Sequence, residues 1–62
     1  MPVIIVESNQ ITTEKKRELV KRMTKIASEI YELPENTITI LIRELKGENI
    51  GVSGKLLSDL DE

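Results

Sequence analysis

The sequence contains no cysteine, histidine, phenylalanine or tryptophan, and these absences exclude several ways of stabilising or using a fold. The chain cannot form a disulfide, and it lacks the residues of most zinc sites and of thiol or imidazole catalysis. A chain of 62 residues buries only about 60% of the surface that its unfolded form exposes. We therefore expect no metal and no cofactor, and we expect self-association in closed symmetry to stabilise the fold.

Long stretches of like charge are also missing, because acidic and basic residues alternate along most of the chain. The net charge is −2. Such a chain has no general attraction for nucleic acid or for an anionic membrane. Its single aromatic residue, Tyr31, offers no stacking platform for bases. Basic residues near Lys15 and Lys21 leave a nucleic-acid binder as an alternative, although acidic residues interrupt that face. We expect neither nucleic acid nor membrane as a partner.

Long apolar runs are missing too. No segment approaches the roughly 20 residues that a membrane-spanning helix needs, and no segment has the pattern of a secretory signal peptide. The lack of cysteine fits a reducing compartment. The sequence therefore predicts a soluble, cytoplasmic protein.

What is present predicts a strand, a helix and a second strand. Residues 3–6 are all β-branched, which predicts a strand covered on both faces. A helix capped by Thr12 or Thr13 follows, and Pro34 is expected to stop it. Residues 37–43 alternate as a second strand, so a parallel pair with a right-handed crossover is favoured. The apolar stripe of the helix comprises Leu19, Val20, Met23, Ile26, Ala27, Ile30 and Tyr31.

The glycine-containing segment from Gly47 to Gly54 predicts a turn and a short hairpin, and the apolar tail after it stays unassigned. The fold class expected is α+β, a β-α-β unit with parallel strands plus a C-terminal hairpin, in one domain spanning 1–62. One helix covers one face of two strands, which leaves Thr39 and Leu41 on the other face. Copies of the same chain are the simplest cover for it.

Pro2 is a candidate for acid-base chemistry. Initiator methionine is commonly removed before a small residue, and its removal here would leave a secondary amine at the start of a strand. Burial in an apolar pocket would lower the pKa of such an amine towards neutrality, where a general base works best. Proline in second position is also common without any function, so the residue alone does not decide between these interpretations.

The whole chain resembles the 4-oxalocrotonate tautomerase family, most tellingly in Pro2 and in the segment Gly51-Val52-Ser53-Gly54-Lys55. The resemblance implies a β-α-β-hairpin subunit, dimers with a continuous four-stranded sheet, and a homo-oligomer that is commonly a hexamer built as a trimer of dimers. It also implies that the amino-terminal proline moves a proton within a conjugated enol or keto acid without a cofactor. Arginines of the family hold the carboxylates and polarise the carbonyl oxygen.

This chain departs from the family at the positions of those arginines. It has Ser8 to Gln10 in the loop after the first strand and Thr39 on the second strand, and Ile50 stands at the position of an aromatic residue. The candidate substrate-binding residues are therefore Thr39 through its hydroxyl, Ile50 as a pocket wall, and Arg43 as a cation from another subunit. Lys46 and Lys55 are further candidate cations, and all three have an alternative interpretation as surface charges.

Two functions follow from the sequence. The first is a cofactor-independent tautomerase that acts on a small enol or keto acid, with Pro2 as general base and acid. The second is a non-catalytic oligomer or ligand-binding protein of the same family, which has lost the substrate-binding arginines.

Overall fold

The fold is an α+β arrangement, as the sequence predicts, with a long helix lying against two parallel strands. A computed structural model describes residues 1–60; Asp61 and Glu62, the end of the predicted domain, lie outside the described residues. The elements are β1 (Val3–Ser8), α1 (Thr13–Tyr31), β2 (Thr39–Glu44), β3 (Gly51–Val52), β4 (Lys55–Leu56) and α2 (Leu57–Leu60), with short 3₁₀ turns at Glu35–Thr37 and Gly47–Asn49.

Helix α1 begins and ends with local hydrogen bonds. Thr12 is the N-cap, and its hydroxyl accepts a hydrogen bond from the amide of Lys15 at 3.2 Å. At the other end Glu32 adopts the left-handed conformation, with φ of 56°, and its amide donates to the carbonyl of Ser28. This left-handed cap ends the helix before Pro34, so the proline follows the stop rather than causing it.

Strands β1 and β2 pair in parallel, from Val3 opposite Thr39 to Ser8 opposite Glu44. Two predicted boundaries are wrong. β1 continues through Ser8 because the pairing with β2 continues, and β2 begins at Thr39 because Thr37 belongs to a 3₁₀ turn. The hydroxyl of Thr37 donates to the carbonyl of Pro34 at 2.7 Å, which stabilises that turn.

One face of the strand pair is covered by α1. Ile4 and Val6 of β1 and Ile40 and Ile42 of β2 point to this face and are half-buried. Ala27 of the helix is 7% exposed and is the one buried residue among residues 1–60. The chain by itself therefore has almost no interior.

The opposite face, called the open face below, is formed by alternate residues of the same strands. Val3 is 47% exposed, Ile5 49% and Leu41 45%, so each apolar side chain has about half its surface in water. Glu7 and Arg43 complete this face with an ion pair, at 3.7 Å between Oε2 and Nη1. Within the single chain β1 is covered on one face only, because one helix reaches only one face. Cover of the other face by further copies stays a prediction.

The dimensions of the chain describe a thin slab. Its extents are 43 × 23 × 13 Å and its radius of gyration is 15.2 Å, against about 11 Å for a compact chain of this length. Its accessible surface is 5189 Å², whereas a folded monomer of this mass is expected to expose about 4,000 Å². The single chain therefore exposes more surface than a folded monomer of its mass.

The C-terminal segment forms a short hairpin with a two-residue turn, followed by a short helix. Ser53 and Gly54 both have positive φ, 54° and 80°, as a type I′ turn requires, and they join β3 to β4. The hairpin predicted for this region is therefore present. Helix α2 was not predicted, because four residues are too few to show a helical period.

Candidate functional site

Pro2 lies directly before β1, at the end of the sheet where both strands begin. Its carbonyl oxygen accepts a hydrogen bond from the amide of Thr39 at 3.0 Å, and the residue is half-buried. This bond adds one rung to the parallel ladder and fixes the backbone of Pro2 against β2. The nitrogen of Pro2 is therefore attached to a fixed part of the fold.

Thr39 is the neighbour of Pro2 on the second strand. It lies on the open face together with Leu41 and Arg43, and it is exposed. The structure thus brings two of the predicted site residues, Pro2 and Thr39, to one place, which we call the amino end of the sheet.

Ile50 lies at the other end. It follows the 3₁₀ turn Gly47–Asn49, its carbonyl accepts a hydrogen bond from the amide of Leu57 at 2.8 Å, and it borders a cleft of about 530 Å³. A strand of six residues spans about 20 Å, so within one chain Ile50 does not meet Pro2. The residues that line this cleft are Glu7, Ser8, Asn9, Leu45, Gly47, Ile50, Leu57 and Ser58.

The predicted cations are not brought to Pro2 within one chain. Arg43 lies four positions after Thr39 on β2, about 13 Å along the strand, and pairs with Glu7. Lys46 precedes the turn that leads to Ile50, and Lys55 lies on the hairpin. Both lysines are exposed. Within one chain, none of these three candidate cations therefore lies beside Pro2.

The carboxyl end of the sheet contains a polar contact that the sequence did not reveal. The carboxylate of Glu44 accepts a hydrogen bond from the amide of Ile11 at 3.0 Å and pairs with Lys16 at 3.1 Å. These two contacts, the amide first, lower the pKa of Glu44. They fasten the start of α1 to the end of β2, so Glu44 has a structural role.

A shallow apolar groove of about 340 Å³ lies beside β1, towards the amino end. It runs between Ile4 and the second half of α1, where Ile26 is 58% exposed and Ile30 75%. The predicted helical stripe is therefore wider than the chain's own sheet can cover. Ala27, on the middle line of the stripe, is buried, and the residues beside it are left in water.

Residues 1–60 contain neither a membrane-spanning helix nor a metal-binding cluster. Among residues 1–60, no helix has the length and apolar character needed to cross a membrane. In the same range, no three acidic side chains are grouped in a way that could hold a metal ion.

Comparison with known proteins agrees with this geometry. Residues 2–60 match the family described as tautomerase enzyme. The chain is 36% identical, over 81% of its length and 81% of the relative's, to a protein of Bacillus subtilis (strain 168) named 2-hydroxymuconate tautomerase.

Solved structures give the same result. The crystal structure of DmpI from Archaeoglobus fulgidus is 50% identical, with a TM-score of 0.82, over 94% of this chain and all of that one. A 4-oxalocrotonate tautomerase homologue, TTHB242, is 33% identical with a TM-score of 0.88, over 95% of both chains. The fold, the proline before β1 and these matches together place the chain in the 4-oxalocrotonate tautomerase family.

Proposed function

We propose that this protein is a cofactor-independent tautomerase, an isomerase that moves a proton within a small conjugated enol or keto acid. Pro2 is its general base and acid. The observation that carries the proposal is the position of Pro2, half-buried and bonded through its carbonyl to Thr39 at the start of a parallel strand pair. Membership of the tautomerase family supports the same reaction class.

The reaction needs only one proton carrier. After removal of Met1, the nitrogen of Pro2 is a secondary amine that takes the proton from the enol hydroxyl, so the O–H bond breaks and the carbonyl forms. The protonated amine then gives a proton to a carbon of the conjugated system, which restores the free amine. Atoms and electrons balance without a cofactor, and desolvation of the amine against a neighbouring copy would lower its pKa towards neutrality.

The site is completed by other copies of the chain. Ile50 forms an apolar wall and Arg43 supplies the cation that stabilises the developing enolate, both from neighbouring subunits. Thr39 orients the substrate through its hydroxyl. The half-exposed residues of the open face and the exposed half of the helical stripe support such an assembly, for which we propose a hexamer made of three dimers.

The remaining expectations belong to the same proposal. Residues 1–62 form one tautomerase-like domain, which acts in the cytoplasm on a small enol or keto acid. Its partners are further copies of itself, without nucleic acid or membrane, and it uses neither metal nor other cofactor.

The test is the ketonisation of an enol acid by a preparation whose N-terminus is shown by mass spectrometry to be free Pro2. We expect turnover that Pro2→Ala reduces by about a hundredfold or more, the range of general acid-base catalysis. Titration of the amine by NMR should give a pKa near neutral. Thr13→Ala, on the first residue of α1, is the matched control and should keep full activity. An active Pro2→Ala variant would exclude proline as the proton carrier.

The second function, a non-catalytic oligomer or ligand-binding protein, is favoured by one observation, the threonine at position 39 where the family carries an arginine. It predicts that the processed protein binds an enol or keto acid without converting it. An N-terminus that keeps Met1 in the native cell also favours this function, because an amide nitrogen is not a base.

A further inference from the structure

We propose that the site prefers a substrate with one carboxylate and an apolar far end over a dicarboxylate, and that Thr39 sets this preference. The inference rests on the proposed function, because it concerns the substrate that Pro2 would convert. Its basis is the small number of positive charges on β1, on β2 and in the cleft beside Ile50.

The first observation is the charge at the amino end of the sheet. The strands β1 and β2 together contain a single cation, Arg43. It lies about 13 Å along the strand from Thr39, and its guanidinium pairs with Glu7. Thr39, whose backbone amide donates to the carbonyl of Pro2, has a neutral side chain instead.

The second observation concerns the cleft beside Ile50, the surface that a neighbouring copy brings to Pro2 under the proposed function. Its eight lining residues contain no lysine or arginine, and they include the carboxylate of Glu7. Leu45 and Leu57 add apolar surface next to Ile50. The cleft thus has an apolar part for a neutral group and offers no cation to a second carboxylate.

Binding a carboxylate without a cation is energetically unfavourable. A carboxylate that enters a partly dry site without a cation loses its hydration and gains little in return. An arginine contact replaces that hydration with two parallel charged hydrogen bonds. Under the proposed function, Arg43 of a neighbour faces the enolate oxygen and the carboxylate next to it, and β1, β2 and the cleft offer no further cation to hold a second carboxylate.

The experiment compares two enol acids on the processed protein with free Pro2. One is 2-hydroxymuconate, which has a carboxylate at each end, and the other is phenylenolpyruvate, which has one carboxylate and an aromatic end. We expect kcat/KM to be higher for phenylenolpyruvate, by about tenfold or more. In Thr39→Arg the ratio should shift towards 2-hydroxymuconate by about tenfold or more, mainly through a lower KM.

The control is Thr13→Arg, which adds the same charge at the start of α1 and should leave the ratio unchanged. A second variant, Thr39→Gln, separates charge from size, because it lengthens the side chain without a charge and should not improve 2-hydroxymuconate. Circular dichroism of each variant shows that the fold is kept.

If the wild type has the higher kcat/KM for 2-hydroxymuconate and Pro2→Ala abolishes this turnover, the monocarboxylate preference is overturned and the tautomerase proposal stands. A ratio that Thr39→Arg does not change overturns the role of Thr39. No turnover of either acid by the processed protein overturns both proposals.

Discussion

Both faces of the β1–β2 sheet carry large apolar side chains, yet only one of the faces is covered. Ile40 and Ile42 point to the helix, whereas Leu41, between them, is 45% exposed on the open face. The charged residues differ in the same way. On the covered side Glu44 reaches across to the helix layer, and on the open side Glu7 pairs with Arg43 within the sheet.

The covered face gives the single chain a defined shape, since Ala27 and Glu44 join the helix to the sheet. The open face is an apolar surface that the chain itself leaves in water, and such a surface commonly marks an interaction site. Substitutions on each face distinguish the two roles.

The largest effect is expected from a charge on the open face. Leu41→Lys would place an ammonium group where we expect a second copy to pack, and a buried unpaired charge is strongly destabilising. We expect complete loss of assembly, measured as molar mass by light scattering after gel filtration. Thr13→Lys adds the same charge at the exposed start of α1 and should keep the native mass. A Leu41→Lys protein of unchanged mass would show that the open face is free in solution.

A pair of alanine variants compares the faces directly. Ile40→Ala removes apolar volume under the helix and should lower the free energy of unfolding by about 2 to 3 kcal/mol. Leu41→Ala should lower it by a similar amount if the open face is covered in the assembly, although half of that side chain is exposed in one chain. Urea denaturation at one fixed protein concentration measures both, because association shifts apparent stability. A loss below about 0.5 kcal/mol for Leu41→Ala would contradict the covered open face.

Glu44 tests the link between the covered face and α1. Its pKa is lowered from 4.5, first by the amide of Ile11 and then by Lys16, so the carboxylate stabilises the fold above that pH. This contribution fades as the pH falls through the lower folded value. In Glu44→Gln the thermal midpoint should be lower at about pH 7, and the difference from wild type should shrink towards about pH 3. A difference independent of pH would point to packing rather than charge.

The smallest effect is expected at the ion pair of the open face. Arg43 and Glu7 are 3.7 Å apart and their side chains are 60% and 55% exposed, so water screens the pair. Glu7→Gln should change the free energy of unfolding by less than about 0.5 kcal/mol. Chemical denaturation in low and in high salt measures this. A larger, salt-independent loss would mean that the pair is buried in the assembly.

Local features of this fold could be predicted from the sequence, and long-range ones could not. The cap at Thr12, the helical stripe around Ala27, the parallel strands and the turn before Lys55 follow from residue spacing and turn chemistry. The bond from Ile11 to Glu44 joins residues that are far apart in sequence, and no periodic pattern encodes it.

The site shows the same division. Pro2 and Thr39 are neighbours because Val3 pairs with Thr39, a register that the expected strand start at residue 37 did not predict. The separation of Ile50 from Pro2 could not be deduced either, because residue spacing does not say which distant residues meet. The family resemblance, rather than residue spacing, was what pointed to a shared pocket.

The hydrogen bond that holds the start of β1 uses the carbonyl oxygen of Pro2 and leaves its nitrogen out. A chain that retains its initiator residue keeps this hydrogen bond. Unfolding calorimetry would therefore not distinguish it from a trimmed chain, whereas mass spectrometry would. Under the proposed chemistry, the specific activity of a preparation would be proportional to the fraction of chains that have lost Met1. The yield of active enzyme would therefore depend on the host's aminopeptidase.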